Sequence, residues 1–176
     1  MTETEWIRKG TWMAVVLTGL LQAVCTAETK SPNIVWMFSD DHAYQAIGAY
    51  GGRLAKENLT PHIDRIAREG MVFDRAYVAN SICAPSRATL LTGKHSHLNG
   101  KHTNGGRFNH DQQQFQKILQ KSGYQTAMIG KIHLAGMMQG FDYWEVLPGQ
   151  GQYVNPKFIT EQGPTQYKGH STDVIT

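Results

Sequence analysis

Cysteine is scarce in this 176-residue chain: there are two, Cys25 and Cys83. A disulfide framework is therefore excluded as the basis of the fold. Charge of one sign is lacking too. The 17 basic and 14 acidic side chains leave a formal net charge of +3, dispersed along the chain, which excludes an electrostatic nucleic-acid surface. No apolar run approaches the roughly 20 residues of a membrane span, and there is no internal repeat and no low-complexity segment. The length suits one domain. Glycine is plentiful, with 18 residues placed mostly where turns are expected.

The first 27 residues differ from the rest. A polar start ending in Arg8 and Lys9 is followed by the apolar stretch TWMAVVLTGLLQAV and by small residues ending at Ala27. A basic flank, a short apolar run and a small-residue cut site describe a secretory signal peptide over residues 1–27, and hence an exported, periplasmic or secreted protein. Gln22, Ala23 and Val24 before Cys25 match a lipoprotein anchor poorly. Cleavage after Ala27 removes Cys25 and leaves Cys83 alone. A single cysteine in an exported chain is either reactive, modified, or a buried structural thiol.

Residues 28–176 read as alternating strands and helices. Residues 34–38 form a continuous apolar run, the pattern of a strand buried on both faces. Thr60, Pro61 and Gly70 punctuate a helix over 61–70. A second strand is expected at 71–78, and a helix from Pro85 to Gly93 with Cys83 at its start. A third helix reads from Gln114 to Gly123, and a strand at 124–130. Between these lies a polar loop rich in histidine and glycine, and beyond Gly136 the chain is turn-rich and aromatic. This order predicts an α/β fold with a mostly parallel sheet. Ligands in such sheets bind beyond the carboxyl ends of the strands. Asp40 and Asp41 follow one strand, Lys131 and His133 another, and Cys83 opens a helix whose N–H groups and dipole favour an anion.

Taken alone, Asp40-Asp41 offers two hard carboxylate ligands suited to Ca²⁺ or Mg²⁺, or a solvated turn. Lys131-Ile132-His133 alone is a weak signal, since a lysine after a strand is usually a surface charge. The segment Cys83-Ala84-Pro85-Ser86-Arg87, continued by Leu91-Thr92-Gly93, is far more specific. It resembles the C-x-P-S-R-x-x-x-L-T-G signature of the type I, formylglycine-dependent sulfatases, in the alkaline-phosphatase-like superfamily. NIVWMFSDD at 33–41 resembles that family's first strand and metal-binding aspartates. Gly130-Lys131-Ile132-His133-Leu134 resembles its G-K-x-H-L segment. The three occur in the family's order and cover the chain from about residue 32 to its end.

The resemblance implies an alkaline-phosphatase-like α/β sandwich, present here as the N-terminal part. It implies a sulfuric ester hydrolase in which Cys83 is converted to formylglycine by a formylglycine-generating or anaerobic sulfatase-maturing enzyme. One hydroxyl of the aldehyde hydrate would attack sulfur, and the other would expel sulfate by C–O cleavage. Asp40, Asp41 and modified Cys83 would hold the cation, Ca²⁺ rather than Mg²⁺. Arg87 would hold the hydrate, Lys131 a sulfate oxygen, and His133 the second hydroxyl. The family's second metal-ligand pair, second lysine and second histidine lie further along than residue 176. The substrate implied is a sulfated sugar or glycan, with a sugar 6-sulfate favoured. A non-catalytic remnant or binding module, and a phosphonate or phosphate ester hydrolase of the same superfamily, are the alternatives.

His95, His97, His102 and His110, with Lys94 and Arg107, are read as solvated loop residues near the motif. The aromatics of FDYWEVLPGQGQYVNP could form a sugar-stacking wall or packed core.

Overall fold

The computed structural model describes residues 31–176; the signal-peptide expectation lies outside them. The chain divides at Ser39, with residues 31–39 in one unit and Asp40–Thr176 in the other. No helix among the described residues is long and apolar enough to cross a membrane.

The Pro61–Glu69 helix (α1) forms where Pro61 presets the first turn. Thr60 precedes it but does not cap it through a backbone N–H. Its Oγ1 accepts from the Gly48 N–H at 2.9 Å and donates to Asp64 Oδ1 at 3.1 Å. Cys83–Thr92 (α2) ends at Gly93, whose φ of 66° is the left-handed turn expected of a glycine stop. A short helix Ser96–Asn99 (α3) lies in the polar loop, and Phe115–Lys121 (α4) follows.

Among the described residues four strands form one sheet in the order β1 (Ala127–Lys131), β2 (Tyr143–Leu147), β3 (Lys157–Thr160) and β4 (Gly163–Gln166). β1 and β2 are parallel, with Lys131 beside Leu147. β2 with β3, and β3 with β4, are antiparallel. A last helix, Ser171–Ile175 (α5), closes the described chain.

The class is α/β as expected, yet only one of these three ladders is parallel. Residues 34–38 and 71–78 form no strand, and their apolar side chains are largely exposed, Val35 at 82 % and Tyr77 at 87 %. An apolar run becomes a strand only where neighbouring strands take up its N–H and C=O groups, and among the described residues all four strands come from residues 127–166.

The core joins α2 to the β1–β2 pair. Ala84, Ala88 and Leu91 recur at helical spacing on one face of α2 and pack with Phe108, Ile132, Leu134 and Val146. Ala84 and Ala88 are wholly buried, so a small-residue face brings the start of α2 close to the carboxyl end of β1. Phe141 and Trp144 pack against this core, whereas Tyr143 and Tyr153 stay exposed. The aromatic tract is thus divided between core and surface.

Candidate active site

Three separate stretches of the sequence, at Asp40, at Cys83 with Arg87, and at Lys131, meet around one sulfur atom. Cys83 is the first residue of α2 and Lys131 the last of β1. Lys131 Nζ lies 3.7 Å from Cys83 Sγ, and Sγ lies 3.7 Å from Asp40 Oδ1. Lys131 Nζ also pairs closely with Asp40 Oδ2. Arg87, one turn into α2 and buried, directs Nη1 to the Lys131 carbonyl and holds Nη2 3.6 Å from Asp40 Oδ2. It therefore ties the helix, the strand end and the aspartate together.

The start of α2 is less open to an anion than its sequence suggests. Ser86 N–H bonds the Ile82 carbonyl at 2.8 Å, and Pro85 has no N–H. The Ala84 N–H donates to Asn104 Oδ1 at 3.0 Å. Among the first four residues, only the Cys83 N–H is left for a ligand.

Burial and neighbouring charge together set the protonation states here. Burial works to raise the Asp40 carboxyl, but the hydrogen bond and charge of Lys131, then the charge of Arg87 and the Cys83 contact, outweigh it. The carboxyl is held below its ordinary 3.8. His133 is pushed below its ordinary 6.5 by burial and by the positive charges of Lys131, Arg87 and Lys101, with Asp40 opposing. Its Nδ1 is buried with no hydrogen-bond partner among the described residues, and its backbone is left-handed, φ 52°.

Asp40, Asp41 and Cys83 each bring one ligand atom within 4.8 Å of the others. Two carboxylates suit a hard divalent cation, and the soft thiol suits it only once an oxygen replaces the sulfur.

The Sulfatase family model matches residues 32–176. This chain belongs to the sulfatase family. It is 52 % identical over 152 residues to an N-acetylglucosamine-6-O-sulfatase of Bacteroides thetaiotaomicron, covering 85 % of this chain and 27 % of that protein. It is 35 % identical over 145 residues to an N-acetylgalactosamine-6-sulfatase of Rattus norvegicus, covering 72 % and 26 %. A solved complex of BT4656 with its substrate D-glucosamine-2-N,6-O-disulfate superposes with a TM-score of 0.78 at 50 % identity, covering 82 % of this chain and 29 % of that one. This chain thus spans about a quarter of the length of these relatives.

Of the candidates named from sequence, this chain brings Asp40, Asp41, Cys83, Arg87 and Lys131 together. His133 sits two residues past Lys131, within reach of its charge. The loop histidines do not join them. His95 and His97 stack on each other with ring centroids 5.9 Å apart, while His110 is buried edge-on against Phe108 at 4.8 Å. His110 is therefore a core residue rather than a solvated one. Lys94 is half-buried and Arg107 exposed.

Three participants are not apparent from sequence. Gln150 accepts from Lys131 Nζ at 2.5 Å. Asn104 caps α2 from 20 residues away. Lys101, only 2 % exposed, donates from Nζ to the Gly105 and Gly106 carbonyls at 2.8 Å each. Asn104 and Lys101 sit in the polar loop rich in histidine and glycine, whose composition does not single either of them out. Gln150 follows β2 in a Pro-Gly-Gln-Gly turn, and reading β2 as a strand would have put it at the same edge as Lys131.

Proposed function

We propose that this chain supplies the nucleophile side of the active site of an exported sulfuric ester hydrolase that removes sulfate from a sulfated carbohydrate. The observation that carries the reading is the meeting of Asp40, Arg87 and Lys131 at Cys83, where α2 begins and β1 ends. The substrate bound in the BT4656 complex and the name of the Bacteroides relative support a glucosamine 6-sulfate as the group cleaved. The apolar leader over residues 1–27 supports export.

Cys83, oxidised to formylglycine by a formylglycine-generating or anaerobic sulfatase-maturing enzyme, supplies as its hydrate a hydroxyl nucleophile for sulfur. Asp40, Asp41 and the modified Cys83 would hold a divalent cation, Ca²⁺ before Mg²⁺, which supplies Lewis-acid polarisation of oxygen. Asp40, kept ionised by its cationic neighbours, is the carboxylate best placed to serve as a ligand at neutral pH. Lys131 presents an ammonium 3.7 Å from the position of the nucleophile, where it can bind a sulfate oxygen and stabilise its growing charge. Arg87 fixes the relative positions of Lys131 and Asp40 through its two Nη atoms. His133, kept neutral at pH 7, can take a proton through an unpartnered ring nitrogen, the role needed to release sulfate.

The test is hydrolysis of glucosamine 6-sulfate alongside a phosphonate monoester, using the protein co-expressed with a maturing enzyme. Sulfate release is expected, with Cys83→Ser and Asp40→Ala folded but inactive. Preference for the phosphonate ester, or turnover retained in either variant, would overturn the reading.

A further inference from the structure

Lys131 is held on three sides, by Asp40, by Cys83 Sγ and by Gln150, and the third contact belongs to no motif. Its position follows from the sheet. β1 and β2 run parallel with Lys131 beside Leu147, so their carboxyl ends lie side by side. Directly beyond Leu147 the chain turns sharply, the Gly151 N–H bonding the Pro148 carbonyl at 2.9 Å. Gly149 and Gly151 take positive φ, 57° and 79°. A Cβ on Gly151 would lie 2.8 Å from Leu147 Cδ1, so the turn packs directly on the end of β2. Gln150 is thus carried on a tight turn and delivered to the edge where Lys131 emerges.

The Gln150 side chain is exposed. Its Oε1 accepts a hydrogen bond from Lys131 Nζ, and its Nε2 has no hydrogen-bond partner among the described residues. An amide whose acceptor end grips the ammonium has its two donors left for whatever that ammonium binds. We propose that Gln150 is a further substrate contact: Oε1 orients the Lys131 ammonium, and Nε2 donates to an oxygen of the sulfate ester held there. An uncharged donor at this point adds a hydrogen bond without a further positive charge. The inference rests on the sulfatase reading above.

Two variants test it in the matured enzyme, assayed on glucosamine 6-sulfate. Gln150→Glu keeps an acceptor for Lys131 but replaces the donors with a negative charge, and KM is expected to rise at least about tenfold with kcat changed much less. Gln150→Met keeps the length and loses both functions, and kcat/KM is expected to fall about tenfold. Each variant should melt within a degree or two of the parent, because the side chain is exposed. Unchanged kcat/KM in both variants would overturn the proposal, as would equal losses in kcat alone. A parent enzyme without sulfate release would instead refute the functional reading.

Discussion

Replacing Asn104 with alanine isolates the side chain that finishes the helix bearing Cys83. The residue before α2 is Ile82, which cannot cap. Its own N–H is taken by Asn80 Oδ1 at 3.0 Å. The cap comes from Asn104 Oδ1, at 3.0 Å from the N–H of wholly buried Ala84. Loss of a side-chain cap costs about 1 kcal/mol, and stranding a buried N–H raises the cost to roughly 1–2 kcal/mol. For a protein of this size that is a fall in Tm of roughly 2–8 °C. Thermal melting of the parent, Asn104→Ala and Asn104→Asp measures it, with hydrogen exchange at the Ala84 amide as the local readout. The aspartate variant keeps the acceptor and adds a charge favoured at a helix N-terminus, so it should match or exceed the parent in Tm. It should also bind sulfate esters more weakly. An alanine variant within 1 °C of the parent with Ala84 still protected would show that the cap is not what holds this end of α2.

Lys131→Met should lower kcat by about 10²–10³-fold, the usual loss when a donor to developing negative charge is removed; steady-state kinetics on a sulfate ester would show it. Ala88→Leu adds three carbons to a site with no exposed surface and should destabilise the protein by about 1–3 kcal/mol in denaturant unfolding. His110 is held below its ordinary 6.5 chiefly by burial, so the unfolded chain gains a proton first. Stability should therefore fall as pH drops through 6.5 and level off below the folded-state value. His110→Phe should flatten that slope in melts from pH 8 to 5. Gly151→Ala forces a Cβ against Leu147 at a positive φ and should impair substrate binding more than Gln150→Met does, as KM would record.

Features encoded locally are legible in the sequence. Gly93 and Gly123 stop their helices through positive φ, and Pro61 starts α1, because each acts through its own backbone. Asp40, Cys83, Arg87 and Lys131 are legible because a long, specific motif and two flanking segments name them together. The strands are less so. Apolar runs at 34–38 and 71–78 report a capacity for burial, which is realised only through partners. β2 and β3 are hidden because TyrTrpGluValLeu and LysPheIleThr are short and lie among glycines and prolines. Asn104 and Gln150 act across 20 and 19 residues respectively, and no local pattern encodes a contact of that range. Lys101 runs against the expectation that lysines are exposed, and only tertiary structure reveals it.

That lysine has a practical consequence. Its amine is enclosed by the carbonyls of Gly105 and Gly106 in the loop that also carries Asn104. Amine-reactive reagents should modify the surface lysines of the native protein and spare Lys101. The rate at which Lys101 is finally acylated then becomes a clock for the opening of this loop, readable by mass spectrometry without substrate or turnover.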